Sequence, residues 1–228
     1  MEYVAIVLAA GIGKRMNIGE NKQFLNLMDK PLIIHTLTIF ENDPCCEAII
    51  LVTQQNEQER MQSVLLDYSF TTAITLVTGG RHRQDSVYNG LLAIRPFQET
   101  NDFLVFIHDG ARPFVTQKYL HELAKRAKEN RAALLAVPVT DTIKEKNGDQ
   151  LTTLDRSKLW AAQTPQVFQF ELIWEAHQKA KETGFVGTDD TSLVERLGYS
   201  VCIVEGSYKN IKLTTPEDIK RAEAFLNN

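Results

Sequence analysis

The chain has 228 residues, of which 43% are hydrophobic and 24% charged, enough apolar content for a sizeable core and no sign of a disordered tract. Its 25 Lys and Arg against 29 Asp and Glu leave a net charge of −4, so no global basic field recruits nucleic acid and any anion site must be local. Cys45, Cys46 and Cys202 are odd in number and lack a C-x-x-C spacing, which argues against a disulfide framework or a zinc site and for a reducing compartment. The first apolar stretch has its cations after it and is too short to span a bilayer, so neither a signal peptide nor a membrane anchor is expected, and the expected location is the cytoplasm.

The first predicted element is a strand over residues 3–9. It is short, β-branched and closed by small residues, the pattern of a strand buried on both faces of a parallel sheet. It runs into Gly11-Ile12-Gly13-Lys14-Arg15-Met16. Glycines at a strand's carboxyl end let the backbone approach phosphate oxygens, and amides at a following helix N-terminus point toward the anion. A dinucleotide fingerprint would need Gly or Ala in place of Met16, and a Walker loop would need four residues between its glycines followed by Lys and Ser or Thr. Neither is present. With Lys14 and Arg15 in the turn and Lys22 beyond it, a triphosphate fits better than a diester pyrophosphate. From this turn alone, a solvated turn with surface cations is the alternative.

Further along, strands are expected over residues 48–53, 74–78, 103–107, 132–137 and 199–204, with helices over 31–40, 56–66, 85–94, 117–130, 170–183 and 216–226. The alternation implies an α/β fold, a mostly parallel, doubly wound, Rossmann-like sheet with its crevice at the strand carboxyl ends. Nothing divides the chain, so residues 1–228 read as one domain. In the strand ending His108-Asp109-Gly110-Ala111-Arg112-Pro113, Asp109 could hold Mg²⁺ beside phosphates and Arg112 could grip an anion. His108 reads as a satisfied core residue, without a second His at metal spacing. Residues 139–159 break the alternation. Asn147-Gly148 between two short polar strands signals a hairpin that projects as an arm, and an isolated hairpin is marginal in water unless it packs on something.

Taken together, Leu8 to Met16, Lys22-Gln23-Phe24, Gly79-Gly80 with Arg83 and Ser86, His108 to Pro113, Asp155-Arg156, Gln163-Thr164-Pro165-Gln166, Gly187-Thr188-Asp189-Asp190 and Asn210-Ile211-Lys212 resemble the 2-C-methyl-D-erythritol 4-phosphate cytidylyltransferases of isoprenoid precursor biosynthesis. The resemblance covers essentially the whole chain. The related ribitol-5-phosphate cytidylyltransferases usually have Asp-Ala-Val-Arg-Pro at the strand end, so Asp109-Gly110-Ala111-Arg112-Pro113 favours the former family.

The resemblance implies transfer of a cytidylyl group from CTP to methylerythritol phosphate. Arg15 and Lys22 would stabilise the transition state, and Arg156 and Lys212 would position the acceptor phosphate. CTP would be held by Ala9, Ala10, Gly11, Gly13, Lys14, Gly80, Arg83, Ser86 and Gly110. Asp109, Arg112, Thr142 and Thr188 would contact the acceptor, with Asp109 also on Mg²⁺. The arm would embrace a second subunit in a homodimer. Thr188 could equally be a helix cap, and the adjacent acids could serve a helix dipole. Base selection would fall near residues 79–86, where Arg81 replaces the acid that many relatives carry. A non-catalytic nucleotide-binding domain stays open as an alternative, while a nicotinamide-dependent oxidoreductase is disfavoured by Met16 and the loop cations.

Overall fold

Side chains along a buried strand must face two cores, and the first strand shows both. The structure, a computed structural model, describes residues 2–11, 21–94 and 103–227. In β1 (Tyr3–Leu8), Tyr3, Ala5 and Val7 enter one core while Val4 and Ile6 enter the other, the two-residue period of a pleated strand. The chain continues through a short ribbon, β2 (Asn26–Leu27) with β3 (Lys30–Pro31), then α1 (Leu32–Glu41), β4 (Cys46–Thr53), α2 (Gln58–Leu66), β5 (Ala73–Thr78), α3 (Arg83–Ile94) and β6 (Leu104–Asp109). Its second half holds α4 (Gln117–Asn130), β7 (Ala132–Pro138), the hairpin β8 (Lys144–Asn147) and β9 (Gln150–Thr153), β10 (Trp160–Gln169), α5 (Phe170–Thr183), α6 (Asp190–Arg196), β11 (Cys202–Glu205) and α7 (Pro216–Leu226).

Among the described residues, seven strands form the main sheet in the order β11-β7-β10-β6-β1-β4-β5. All pair in parallel except β10, which lies antiparallel between β6 and β7. Helices α1, α2 and α4 cover one face, and α3, α5 and α6 cover the other. In α4 the buried positions Leu120, Leu123, Ala124 and Ala127 repeat at helical spacing. Helix α7 starts with a capping box between Thr215 and Asp218, which gives both of their amides a partner, and has Pro216, which has no amide to satisfy, in its first turn. The chain passes from one side of β1 to the other between β5 and β6, so the crevice of this sheet opens at the carboxyl ends of β1 and β6.

Six strands were expected in this sheet, and β10 is the seventh. Pro165 cannot donate to a ladder and argues against a central strand. The structure accommodates it where the β10–β7 register shifts between Ala162 and Gln166. Strand β11 starts later than the pattern suggested, at Cys202, and the helix left open by the cap reading of Thr188 is the short α6, capped one residue later by Asp189. No helix among the described residues is long and apolar enough to cross a membrane.

Candidate active site

Asp109 ends β6 with 7% of its surface exposed and faces three cations. Lys212 Nζ lies 2.9 Å from Oδ2, Arg112 Nε 3.6 Å from the same oxygen, and Arg83 Nε 3.5 Å from Oδ1. Burial alone would push this carboxyl up, but Lys212, Arg83 and Arg112 hold it well below the usual carboxylate range, so it stays ionised. Arg83 is braced from behind, since its Nη1 is 2.6 Å from Asp190 Oδ2 and Asp190 Oδ1 is 3.2 Å from His177 Nε2. Among the described residues, buried Arg83 Nη2 and Arg112 Nε have no hydrogen-bond partner. Unsatisfied buried donors are costly, and here they belong to cations beside a crevice, which makes the crevice receptive to an anion.

The polar side chains of β10 hold this cluster together. Thr164 Oγ1 accepts from the Asp109 amide at 3.0 Å and sits 3.1 Å from His108 Nδ1. His108 Nε2 lies 3.0 Å from the Arg112 carbonyl, so Nε2 carries the proton and Nδ1 accepts from the threonine hydroxyl. Gln163 donates to Ser207 O at 3.0 Å and accepts from Asn210 Nδ2 at 3.1 Å, and Arg112 Nη1 donates to Asn210 O at 2.6 Å. These contacts fix the segment that carries Lys212. Gln166 Oε1 accepts from the Asp190 and Thr191 amides at 3.1 and 3.3 Å, and its Nε2 donates to Asp189 Oδ2 at 2.7 Å.

Two predictions arise from this scaffold. Burial pushes the His108 imidazole down from 6.5 to about 4. Between those values the unfolded chain binds a proton at this position and the folded chain does not, so stability falls as pH drops through the window, by about 3 kcal/mol in total. Denaturant midpoints and an imidazole NMR titration check it; a folded-state His108 that titrates near its ordinary value would contradict it. Gln166→Leu keeps the volume but orphans the buried Asp190 and Thr191 amides and leaves Asp189 Oδ2 with the Thr191 hydroxyl alone. The expected loss is about 1–3 kcal/mol in chemical denaturation.

Two cavities meet at Asp109. The larger, about 430 Å³, is lined by Ala10, Gly11, Lys22, Gly80, Arg83, Ser86, Asp109 and Lys212. The smaller, about 270 Å³, shares Arg83, Asp109 and Lys212 and adds Arg112 and Thr188. A Cβ on Gly79 would stand 2.6 Å from Ala10 Cβ, so glycine allows the 79–86 loop to lie against the end of β1. Ser86 Oγ accepts from the Gly80 amide at 3.1 Å and steadies that loop.

Not every expected residue reaches the cavities. Ala9 is fully buried beneath them, and Gly110 packs against Leu8 O and Ile33 with its carbonyl accepting from Thr36 Oγ1 at 2.9 Å. Both support the wall without lining it. Arg156 and Thr142 are exposed in the segments that flank the β8–β9 hairpin, where Arg156 Nη1 donates to Thr140 O at 2.9 Å. Gly13, Lys14 and Arg15 lie outside the described residues. The cap of α6 is Asp189, whose side chain accepts from Ser192 N; Thr188 precedes it and remains exposed. Asp190 and His177 escaped sequence reasoning, since an acid in a first helical turn reads as a dipole partner and a lone helical His reads as packing.

The family model for IspD, 2-C-methyl-D-erythritol 4-phosphate cytidylyltransferase, matches residues 3–228. The chain belongs to this family. A curated IspD relative of the same description from Geobacillus kaustophilus is 54% identical over 227 residues, 99% of this chain and 97% of the relative. One from Bacillus velezensis is 53% identical over 228 residues, 99% and 96% of the two chains. The crystal structure of the cytidylyltransferase from Thermus thermophilus aligns with a TM-score of 0.81 at 30% identity, covering 100% of both chains. The 4-diphosphocytidyl-2C-methyl-D-erythritol synthase from Anaerococcus prevotii aligns at 0.85 and 30% identity over 100% of this chain and 96% of the other. The IspD match takes in the exposed hairpin as well as every segment that lines the two cavities.

Proposed function

We propose that this chain transfers a cytidylyl group from CTP to 2-C-methyl-D-erythritol 4-phosphate, giving 4-diphosphocytidyl-2-C-methyl-D-erythritol and pyrophosphate. The observation that supports it best is the meeting of two cavities at one carboxylate ringed by Arg83, Arg112 and Lys212. A phosphate oxygen of the acceptor forms a bond to the α-phosphorus of CTP, and the bond from that phosphorus to the bridging oxygen of pyrophosphate breaks. The nucleophile is already an anion near neutral pH, so no general base is needed. The work is to bring two anions together and to stabilise an in-line transition state, which fixed cations do.

In this reading the larger cavity takes CTP, with its triphosphate over the Ala10 and Gly11 backbone and beside Lys22, and its base near Gly80 and Ser86. The smaller cavity takes the acceptor, with Lys212, Arg112 and Thr188 at its phosphate end and Asp109 ordering the cations between the two ligands. Asp109 is the carboxylate at the junction of the cavities, and its oxygens already face three cations. That donor set fits a Mg²⁺ held mainly by triphosphate oxygens, with Asp109 supplying at most one ligand. When bound, Mg²⁺ neutralises triphosphate charge and favours departure of pyrophosphate.

Residues 1–228 act as one nucleotidyltransferase unit in the cytoplasm, with residues 139–159 as an arm that binds a second copy. Every residue of β8 and β9 is exposed, and a free two-stranded hairpin is marginal by itself. Embracing a partner would stabilise the arm and carry Arg156 and Thr142 toward the partner's acceptor cavity. Pyrophosphate release from each nucleoside triphosphate with Mg²⁺ and either methylerythritol phosphate or ribitol 5-phosphate tests the reaction. CTP with methylerythritol phosphate is the pair expected to turn over; faster release with ribitol 5-phosphate, or none with the expected pair, overturns the reading.

A further inference from the structure

A second cluster of reactive side chains lies at the other end of β4 from the cleft, where the cytidylyl transfer makes no use of it. The turn between α1 and β4 carries Asp43 and Cys45, and His121 on α4 faces them. A carboxylate oxygen of Asp43, the sulfur of Cys45 and a ring nitrogen of His121 all lie within 4.8 Å of one another. Cysteine spacing gave no hint of this, because the imidazole arrives from a distant helix through packing of α4 on the same face as α1.

Thiolate, imidazole and carboxylate are the three ligand types of zinc sites, and a set of three leaves the fourth tetrahedral position to water. The soft sulfur selects against Mg²⁺ and Ca²⁺, which require oxygen ligands. Zinc–ligand bonds of about 2.0–2.3 Å place tetrahedral ligand atoms roughly 3.3–3.8 Å apart, so the cluster needs to contract by about 1 Å or slightly more. His121 can supply that movement because its side chain is 55% exposed, whereas Asp43 is wholly buried. The carboxylate is already oriented. Tyr3 OH donates to its Oδ2 at 2.9 Å and the Cys45 amide donates to its Oδ1 at 3.1 Å, the outer contacts that fix a metal-binding carboxylate. Burial works to raise the Asp43 carboxyl, but the Cys45 amide, His121 and Tyr3 outweigh it and keep the group below its ordinary value. The neighbouring thiol is unsuitable, since Cys46 points its sulfur at Ala48 O and burial pushes it up to about 12.

We propose that Asp43, Cys45 and His121 form a Zn²⁺ site, completed by water, that clamps α4 to the turn before β4. Binding releases the Cys45 thiol proton to solvent as the zinc–sulfur bond forms, and replaces the contact between His121 Nε2 and Asp43 Oδ1 at 3.1 Å.

Cobalt is a spectroscopic probe of such a site. Titrating the full chain with Co²⁺ is expected to produce thiolate-to-cobalt charge-transfer absorption and tetrahedral d–d bands, both erased by Zn²⁺. Cys45→Ser should abolish the charge-transfer band, and His121→Ala should weaken Co²⁺ binding by at least about tenfold. Cys46→Ser and Cys202→Ser should leave the spectrum intact. Zn²⁺ should raise the Tm of the unaltered chain and not that of His121→Ala. Because His121 is exposed and remote from the cleft, metal-free His121→Ala should retain cytidylyl transfer, which confirms that it folds. Absence of the charge-transfer band, its survival in Cys45→Ser, or an equal Tm rise in His121→Ala would overturn the site.

Discussion

Lys22→Ala is expected to lower kcat by about a hundredfold or more, the scale for losing one donor aimed at developing charge, while CTP affinity falls less. The expectation rests on how firmly this cation is placed. Lys22 opens a 3₁₀ turn capped by Asn21, whose side chain accepts from the Gln23 amide. The same side chain donates to Ala9 O at 3.1 Å and to Glu57 Oε2 at 2.7 Å. Lys22 itself is 7% exposed, and its ammonium donates to Leu213 O at 2.7 Å, one residue beyond Lys212. A cation anchored at both ends of its side chain needs little reorganisation when charge builds on the reacting phosphoryl group, and preorganisation of this kind appears in kcat more than in binding. Single-turnover and steady-state kinetics with CTP binding measured separately decide it. Weakened CTP affinity with near-normal kcat at saturation would remove Lys22 from this role.

Most of the scaffold was legible because it follows from periodicity. Helices α4, α5 and α7 begin and end where the pattern placed them, since each carries a continuous apolar stripe and clear end signals. The hairpin follows from Asn147-Gly148, where Gly148 adopts φ +60°, a conformation glycine takes without strain. Strand β10 was not legible. Its Gln163, Thr164, Pro165 and Gln166 break the apolar pattern of a central strand, and the polar side chains among them each tie down a different loop of the site. The same holds for Asp190, whose partners Arg83 and His177 come from α3 and α5. Contacts of this kind depend on tertiary packing and leave no trace in local spacing. Residues whose chemistry faces the crevice, such as Asp109, Lys212 and Gly80, could be given roles early because they sit at strand ends and glycine turns or in motifs of the family, whereas the holding role of polar groups in those same motifs, such as Gln166 and Asp190, emerges only in three dimensions.

Mixing inactive Lys22→Ala chains with inactive Arg156→Ala chains is expected to restore activity to about a quarter of that of the unaltered protein. Lys22 lines the larger cavity, while Arg156 is exposed at the base of the hairpin and lines neither cavity. If the arm crosses a two-fold axis, each site takes Lys22 from one chain and Arg156 from the other. Random exchange makes about half of the dimers hybrids, and each hybrid rebuilds one of its two sites while the other collects both defects. If both residues served the same chain's site, every hybrid site would carry one defect and activity would stay at the mutant floor. Differently tagged chains establish that exchange has occurred. Arg156→Gln on its own should raise KM for methylerythritol phosphate far more than for CTP, since in the proposed shared site the guanidinium it removes grips the acceptor phosphate. Proven hybrids without recovered activity would refute the shared site, and they would do so without touching membership of the cytidylyltransferase family, because that rests on the whole chain and not on the reach of the arm.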